Sequence, residues 1–133
     1  MKFTAVAEPT RRAALLALAE RVEQASGADA SLDSRIQRCI GASLFKPYTR
    51  SLDAALTLVP EGWWLTLDRY IISDDPKPNT RTWRIWLKRM VGDIEGDGPV
   101  GSQKLFATGA TPALALTAAA LRARAAMEPG DGP

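Results

Sequence analysis

The sequence predicts an α+β fold in which three helices precede a three-stranded antiparallel sheet and one helix follows it. Through the first 60 residues and again after residue 111, apolar residues recur every three or four positions, the period of a helix face. Between about residues 63 and 108 the period falls to two, as in strands. The links between these strands are short, which favours an antiparallel meander. The expected order is α-α-α-β-β-β-α.

The first two helices have recognisable ends. Thr10 is a suitable N-cap for a helix that runs to about Ser26, and Gly27 is a natural stop. Ser31 is the expected N-cap of the second helix, which Gly41 can end.

The third helix is short and leads directly to the sheet. Thr49 or Ser51 caps it, and Asp53 lies near its positive end. The sequence Pro-Glu-Gly at 60–62 ends this helix and turns the chain. The strands are then expected at 63–72, 81–91 and 103–108.

The C-terminal helix begins after Thr111, a suitable N-cap, with Pro112 at a position where a missing N–H has no cost. It is rich in alanine, so it can pack closely against a sheet. We expect one domain over residues 1–127, a size that one core can hold together. Residues 128–133 form the expected flexible tail.

The tryptophans suggest how the layers are arranged. Strand alternation places Trp64 and Trp86 on the opposite face of the sheet from Trp63 and Trp83. Two tryptophans on a face open to water would be costly. The sequence therefore predicts helices on both faces, a three-layer α/β/α sandwich.

Composition argues against several classes of function. The chain has no histidine and one cysteine, Cys39, so His-activated nucleophiles and the usual zinc sites are missing. We expect no enzyme activity, no metal and no cofactor. The segment from Asp93 to Gly98 resembles the start of a calcium loop, but Lys104 occupies the position that needs an acid. No apolar run is long enough for a membrane span, so we expect a cytoplasmic protein.

Three segments, SLDSRIQRCIG, PYTRSLDAALTLVPEGWW and FATGATPALALTAAALRARA, together resemble the phage ABA sandwich domain, a family of small bacteriophage and prophage proteins. The resemblance spans about residues 10–127. It implies a layered helix–sheet–helix fold and an origin in a mobile element, and it brings no catalytic residues. The sequence departs from the family pattern in its second strand, which is unusually basic and aromatic.

That strand, RTWRIWLKR, is the candidate site. It carries basic and aromatic side chains without an acid among them, and the residues proposed to bind a partner are Arg81, Arg84, Trp86, Lys88 and Arg89. Such a strand could bind single-stranded nucleic acid, because basic groups bind phosphates and aromatic rings stack on bases. It could instead be a protein-binding hot spot. It could also be a sheet edge on which charge prevents unwanted pairing.

Three hypotheses about function follow. The first is a non-enzymatic phage accessory protein that binds a host protein in the host cytoplasm. Its favoured form is an inhibitor of a bacterial defence system, such as an anti-CRISPR protein acting on a CRISPR-Cas component, and this label rests on association. The second is nucleic-acid binding through residues 81–89. The third is an enzyme that uses two carboxylates converging in one pocket.

Overall fold

The computed structural model describes residues 10–69, 83–91 and 101–128. Its elements are α1 (Arg11–Gln24), α2 (Ala30–Ile40), α3 (Leu52–Leu56), β1 (Trp64–Arg69), β2 (Trp83–Val91), β3 (Gly101–Gly109) and α4 (Pro112–Met127). The strands form one antiparallel sheet in the order β1-β2-β3. The predicted α+β class, element order and antiparallel meander are confirmed. The predicted strand residues 70–72 and 81–82 lie outside the described residues.

Hydroxyl side chains cap three of the helices as predicted. The side chains of Thr10, Ser51 and Thr111 each accept a hydrogen bond from the backbone N–H three residues on. The cap of α2 was predicted at Ser31, and this was wrong. Asp29 is the N-cap, and its Oδ1 accepts from the backbone N–H groups of Ser31 and Leu32. A carboxylate can accept both bonds and its charge favours the positive end of the helix.

Helix α4 lies at the centre of the fold. It packs against β2 and β3 on one side and against α1 and α3 on the other. Most of its side chains are buried, and they are small or leucine: Ala113, Leu114, Ala115, Leu116, Thr117, Ala118, Ala119, Ala120, Leu121, Ala123 and Ala125. In the described part of the chain α4 therefore lies between the sheet and the helices α1 and α3, and α1 also reaches the edge of β3.

The described residues place helices on one face of the sheet, whereas the prediction had helices on both faces. In the described residues no helix covers the face that carries Trp64, which is 63% exposed, or Phe106, which is 49% exposed. Side chains on this face shield one another instead. The Trp86 and Phe106 rings have centroids 4.9 Å apart, and the Arg84 guanidinium lies 5.3 Å from the Trp86 centroid. Trp86 is thus partly covered by neighbouring side chains, while Trp64 stays largely exposed.

Side chains from two helices cover the free edge of β3 at Phe106 and Thr108. The backbone N–H of Thr108 donates to Glu23 Oε2 at 2.8 Å, and Arg122 donates to the carbonyl of Phe106 at 3.1 Å. Glu23 and Arg122 also form an ion pair. Burial alone would raise the pKa of the Glu23 carboxyl, but hydrogen bonds from Arg122 and Thr108 outweigh it, and the net pKa is lowered. The edge is thereby protected from pairing with another strand.

Loss of the Glu23 charge should make the free energy of unfolding depend less on pH between pH 7 and pH 3. A pKa lowered by folding gives stability that is complete above the unfolded value, near 4.5, and is lost as pH falls through the folded value. We expect Glu23→Gln to unfold about 1–3 kcal/mol more easily at pH 7, because Arg122 loses its charged partner. Urea unfolding from pH 7 down to pH 3 should show this difference shrinking. Glu20→Gln, at an exposed position of the same helix, is the control and should change little at pH 7.

Gly109 sets how closely the end of β3 approaches α4. A Cβ built at Gly109 would lie 2.5 Å from the backbone N of Ala115 and 2.9 Å from its Cα. Because backbone cannot move aside as a side chain can, we expect Gly109→Ala to lower the free energy of unfolding by about 1–3 kcal/mol. Gly27→Ala is the matched control, since its Cβ would meet nothing within 4 Å. Equal stability of the two variants in urea unfolding would contradict this account.

Candidate functional site

The exposed face of the sheet, called here the outer face, is built from alternate residues of all three strands. Side chains alternate between the two faces of a strand, so residues directly opposite one another share a face. The strand register arranges nine side chains in three rows across the sheet. These rows are Trp64, Lys88 and Lys104; Thr66, Trp86 and Phe106; and Asp68, Arg84 and Thr108.

Among the described residues, three aromatic rings lie on the outer face, one from each strand. Trp86 and Phe106 are direct neighbours, with their ring planes tilted by 39°. Trp64 lies one row away on β1, diagonal to Trp86. It is more exposed to solvent than Trp86. Rings arranged in this way offer flat apolar surface to a ligand in solution.

Within the described ranges, the positive charge of the outer face is concentrated on two lysines, Lys88 and Lys104. Lys88 lies directly opposite Lys104, and Trp64 is opposite Lys88 on its other side. Arg84 contributes less, because its Nε and Nη2 each lie 3.1 Å from a carboxylate oxygen of Asp68. Like charges placed directly opposite on neighbouring strands are destabilising. An anionic ligand bound between the lysines would relieve that repulsion.

A depression of about 330 Å³ lies beside these lysines. It is lined by Trp64, Thr66, Trp86, Leu87, Lys88 and Lys104. Its volume is at the lower end of the range for small-molecule sites. It therefore suits one planar ring system with an attached anionic group.

The structure places only some of the residues predicted for this site on the outer face. Arg84, Trp86 and Lys88 lie together on the outer face, at alternate positions of β2. Arg89 lies on the opposite face, where its guanidinium is 4.9 Å from the Trp63 ring centroid and its Nε donates to Gln103. Arg81 lies outside the described residues.

Three aromatic or basic residues of the outer face were not among the predicted site residues. Trp64, Lys104 and Phe106 come from β1 and β3, whereas the prediction took one continuous stretch of β2. The available signal was the alternation within each strand. Aligning the three alternations would have placed Lys104 and Phe106 on the same side as Trp86.

The described acids that form contacts hold the fold together and do not converge in one pocket. Asp33 accepts hydrogen bonds from the backbone and hydroxyl of Thr49, Glu23 pairs with Arg122, and Asp68 pairs with Arg84. Over the described ranges there is no group of three or more His, Cys, Asp or Glu residues that could hold a metal ion. The segment from Asp93 to Gly98 lies outside those ranges. The expected lack of enzyme activity stays a prediction.

Two further groups have altered pKa values, and neither lies on the outer face. Burial raises the pKa of the Cys39 thiol, and burial likewise raises the pKa of the Tyr48 hydroxyl. A raised thiol pKa disfavours the nucleophilic thiolate. No helix within the described residues has the length and apolarity to cross a membrane.

No match to this chain is found among protein-family models, curated proteins or solved structures. The resemblance to the phage ABA sandwich domain stays a prediction.

The two opposed lysines should make the free protein less stable than it could be. Lys104→Gln removes one charge from the pair, so we expect the free energy of unfolding to rise by about 0.2–1 kcal/mol at low salt. The gain should shrink in 1 M salt, where charge interactions are screened beyond about 3 Å. Urea unfolding at the two salt concentrations measures both effects. Lys46→Gln, in the link between α2 and α3, is the control and should show no such gain.

Proposed function

We propose that the protein is a non-enzymatic binding protein whose outer face holds single-stranded nucleic acid. The observation that carries the proposal is the placement of Lys88 and Lys104 opposite each other beside the exposed Trp64. One nucleotide offers a planar ring and an anionic phosphate together. It therefore satisfies the aromatic surface and the lysine pair at once.

The geometry suggests how a nucleic-acid strand would lie on the outer face. Neighbouring β-strands are about 4.8 Å apart, so β1 and β3 are separated by roughly 10 Å, and aromatic residues on a sheet of this kind can stack two or three bases. Bases would stack on Trp64 and on the Trp86–Phe106 pair. Phosphates would lie near Lys88 and Lys104. Lysine is a compact point charge, so binding through these contacts would depend little on base sequence.

Single strands fit this face better than a duplex. Stacking on an aromatic side chain requires a base that is free of its own neighbours, as it is in an unpaired strand. Reading a duplex requires an element that enters a groove. In the described part of the chain the outer face consists of strand side chains, and no described helix lies on it to enter a groove.

Trp64→Ala should weaken binding to a short single-stranded oligonucleotide by about 5- to 150-fold, the equivalent of about 1–3 kcal/mol per stacked base. Lys88→Gln should weaken binding less. It should also reduce the slope of log affinity against log salt by about 0.7, as expected for one lost phosphate contact. Fluorescence anisotropy with labelled oligo-dT and oligo-rU over a salt series measures both quantities.

The matched control is Arg50→Gln, which removes one positive charge from an exposed position in the link before α3, away from the sheet. It should leave affinity within about twofold of wild type, because distant exposed charges are largely screened. Undetectable binding at low salt would remove the proposal. So would equal losses in Lys88→Gln and Arg50→Gln, since the effect would then come from net charge alone.

A protein partner is the second candidate, in the form of a host protein such as a CRISPR-Cas component bound by a phage-encoded inhibitor. The structural support is a cluster of Trp64, Trp86 and Phe106 with the Arg84–Asp68 ion pair at its border. Exposed aromatic residues with a charged rim are typical of binding hot spots. The phage origin rests on the family resemblance alone, and the host-cytoplasm location stays a prediction.

An infection assay separates the two candidates. If the protein inhibits a defence system through the outer face, wild type should protect a sensitive phage in cells that carry that system, and Phe106→Ala should not. In a pull-down with the wild-type protein, the defence component should be captured and should stay bound when excess oligonucleotide is added. Release of the component by oligonucleotide would favour nucleic-acid binding, and absence of both protection and capture would count against the inhibitor.

A further inference from the structure

The two edges of the sheet differ in how their backbone groups are covered. At the β3 edge, Glu23 and Arg122 hydrogen bond to the backbone of Thr108 and Phe106. At the β1 edge, among the described elements, no strand pairs and no helix packs closely. An open edge carries a row of unpaired N–H and C=O groups, which is a template for another strand.

The inner face of β1 is also only partly covered. Helix α4 packs on β2 and β3, where Ile85 and Leu87 are fully buried. On β1, the inner-face residues Leu65 and Leu67 remain 41% and 38% exposed. The strand at the open edge therefore carries two leucines that are partly exposed to solvent. A further strand at that edge would bury them more completely.

We propose that β1 pairs antiparallel with β1 of a second copy of this chain, so that the sheet continues through six strands. Opposed residues of an antiparallel pair share a face, so a register centred on Thr66 places Leu65 opposite Leu67 of the second copy, twice by symmetry. The same register places Trp64 opposite Asp68 of the second copy on the outer face. No two like charges oppose each other between positions 64 and 68.

A second copy is favoured over an unrelated strand because the strand is complementary to itself in this register. A two-fold interface brings the same surface together from both copies, and each leucine then meets the other leucine of its partner. The two-fold axis runs perpendicular to the sheet, so both outer faces lie on the same side. The proposal goes beyond nucleic-acid binding and does not depend on it.

Disulfide trapping tests the register directly. In a Cys39→Ala background, Thr66→Cys places one thiol at the centre of the pairing, where it meets its own copy at a distance that a disulfide can span. Mild oxidation should convert this variant to a covalent dimer. Lys104→Cys is the control, with an exposed thiol on the same face but on β3, and it should form no covalent dimer. Equal cross-linking of both variants, or none of Thr66→Cys, would overturn the proposal.

Light scattering of the unmodified chain gives an independent measurement. Wild type should show a mass twice the 14.4 kDa of one chain, falling toward one chain on dilution. Leu67→Glu should lose the dimer while its circular dichroism spectrum stays that of wild type. Leu56→Glu, which changes a leucine 43% exposed on α3, should keep it. A wild-type mass of one chain at every concentration, or a dimer that survives Leu67→Glu, contradicts the proposal whether or not oligonucleotides bind.

Discussion

The burial of α4 is the constraint on which the rest of the described structure depends. A helix with the sheet on one side and other helices around it cannot carry large or charged side chains on most of its surface. The sequence of α4 meets this requirement with alanine and leucine, and the backbone of Gly109 comes close enough to Ala115 to leave no room for a Cβ. The apolar side chains of β2 that face inward have their partner in α4. Nothing in this core requires a helix on the outer face.

At the margins of the core, polar side chains hydrogen bond to backbone groups that apolar packing cannot satisfy. Arg124 donates to the carbonyl of Leu58 at 2.7 Å, and Thr117 donates to the carbonyl of Tyr48 at 2.9 Å, so α4 also fixes the segments around α3. The Glu23–Arg122 pair joins α1 and α4 to the edge of β3. Each contact satisfies a backbone group that regular secondary structure leaves unpaired. The result is a helical side that is closed and a sheet face that is open.

The sequence contains enough local information to predict the elements but less to predict how they are layered. Caps and stops are local, so Thr10, Ser51 and Thr111 could be recognised from a few neighbouring residues. The cap of α2 was missed because Asp29 and Ser31 are both good capping residues, and the choice depends on where the helix begins. Layering depends on register, since the cost of a tryptophan on an open sheet face falls when a ring from the neighbouring strand covers it, as Phe106 covers Trp86.

The candidate site shows the same limit. Trp86 and Lys88 could be proposed from one strand, but their neighbours Phe106 and Lys104 are about twenty residues away in sequence and adjacent only through pairing. Since the core lies on the inner face, the outer face is largely free of packing demands. Side chains there can be chosen for a ligand at a stability cost of only a few tenths to 1 kcal/mol, the scale of one unfavourable cross-strand pair. Two opposed lysines beside an exposed tryptophan do little for folding, so a role in binding explains their presence better than a role in stability.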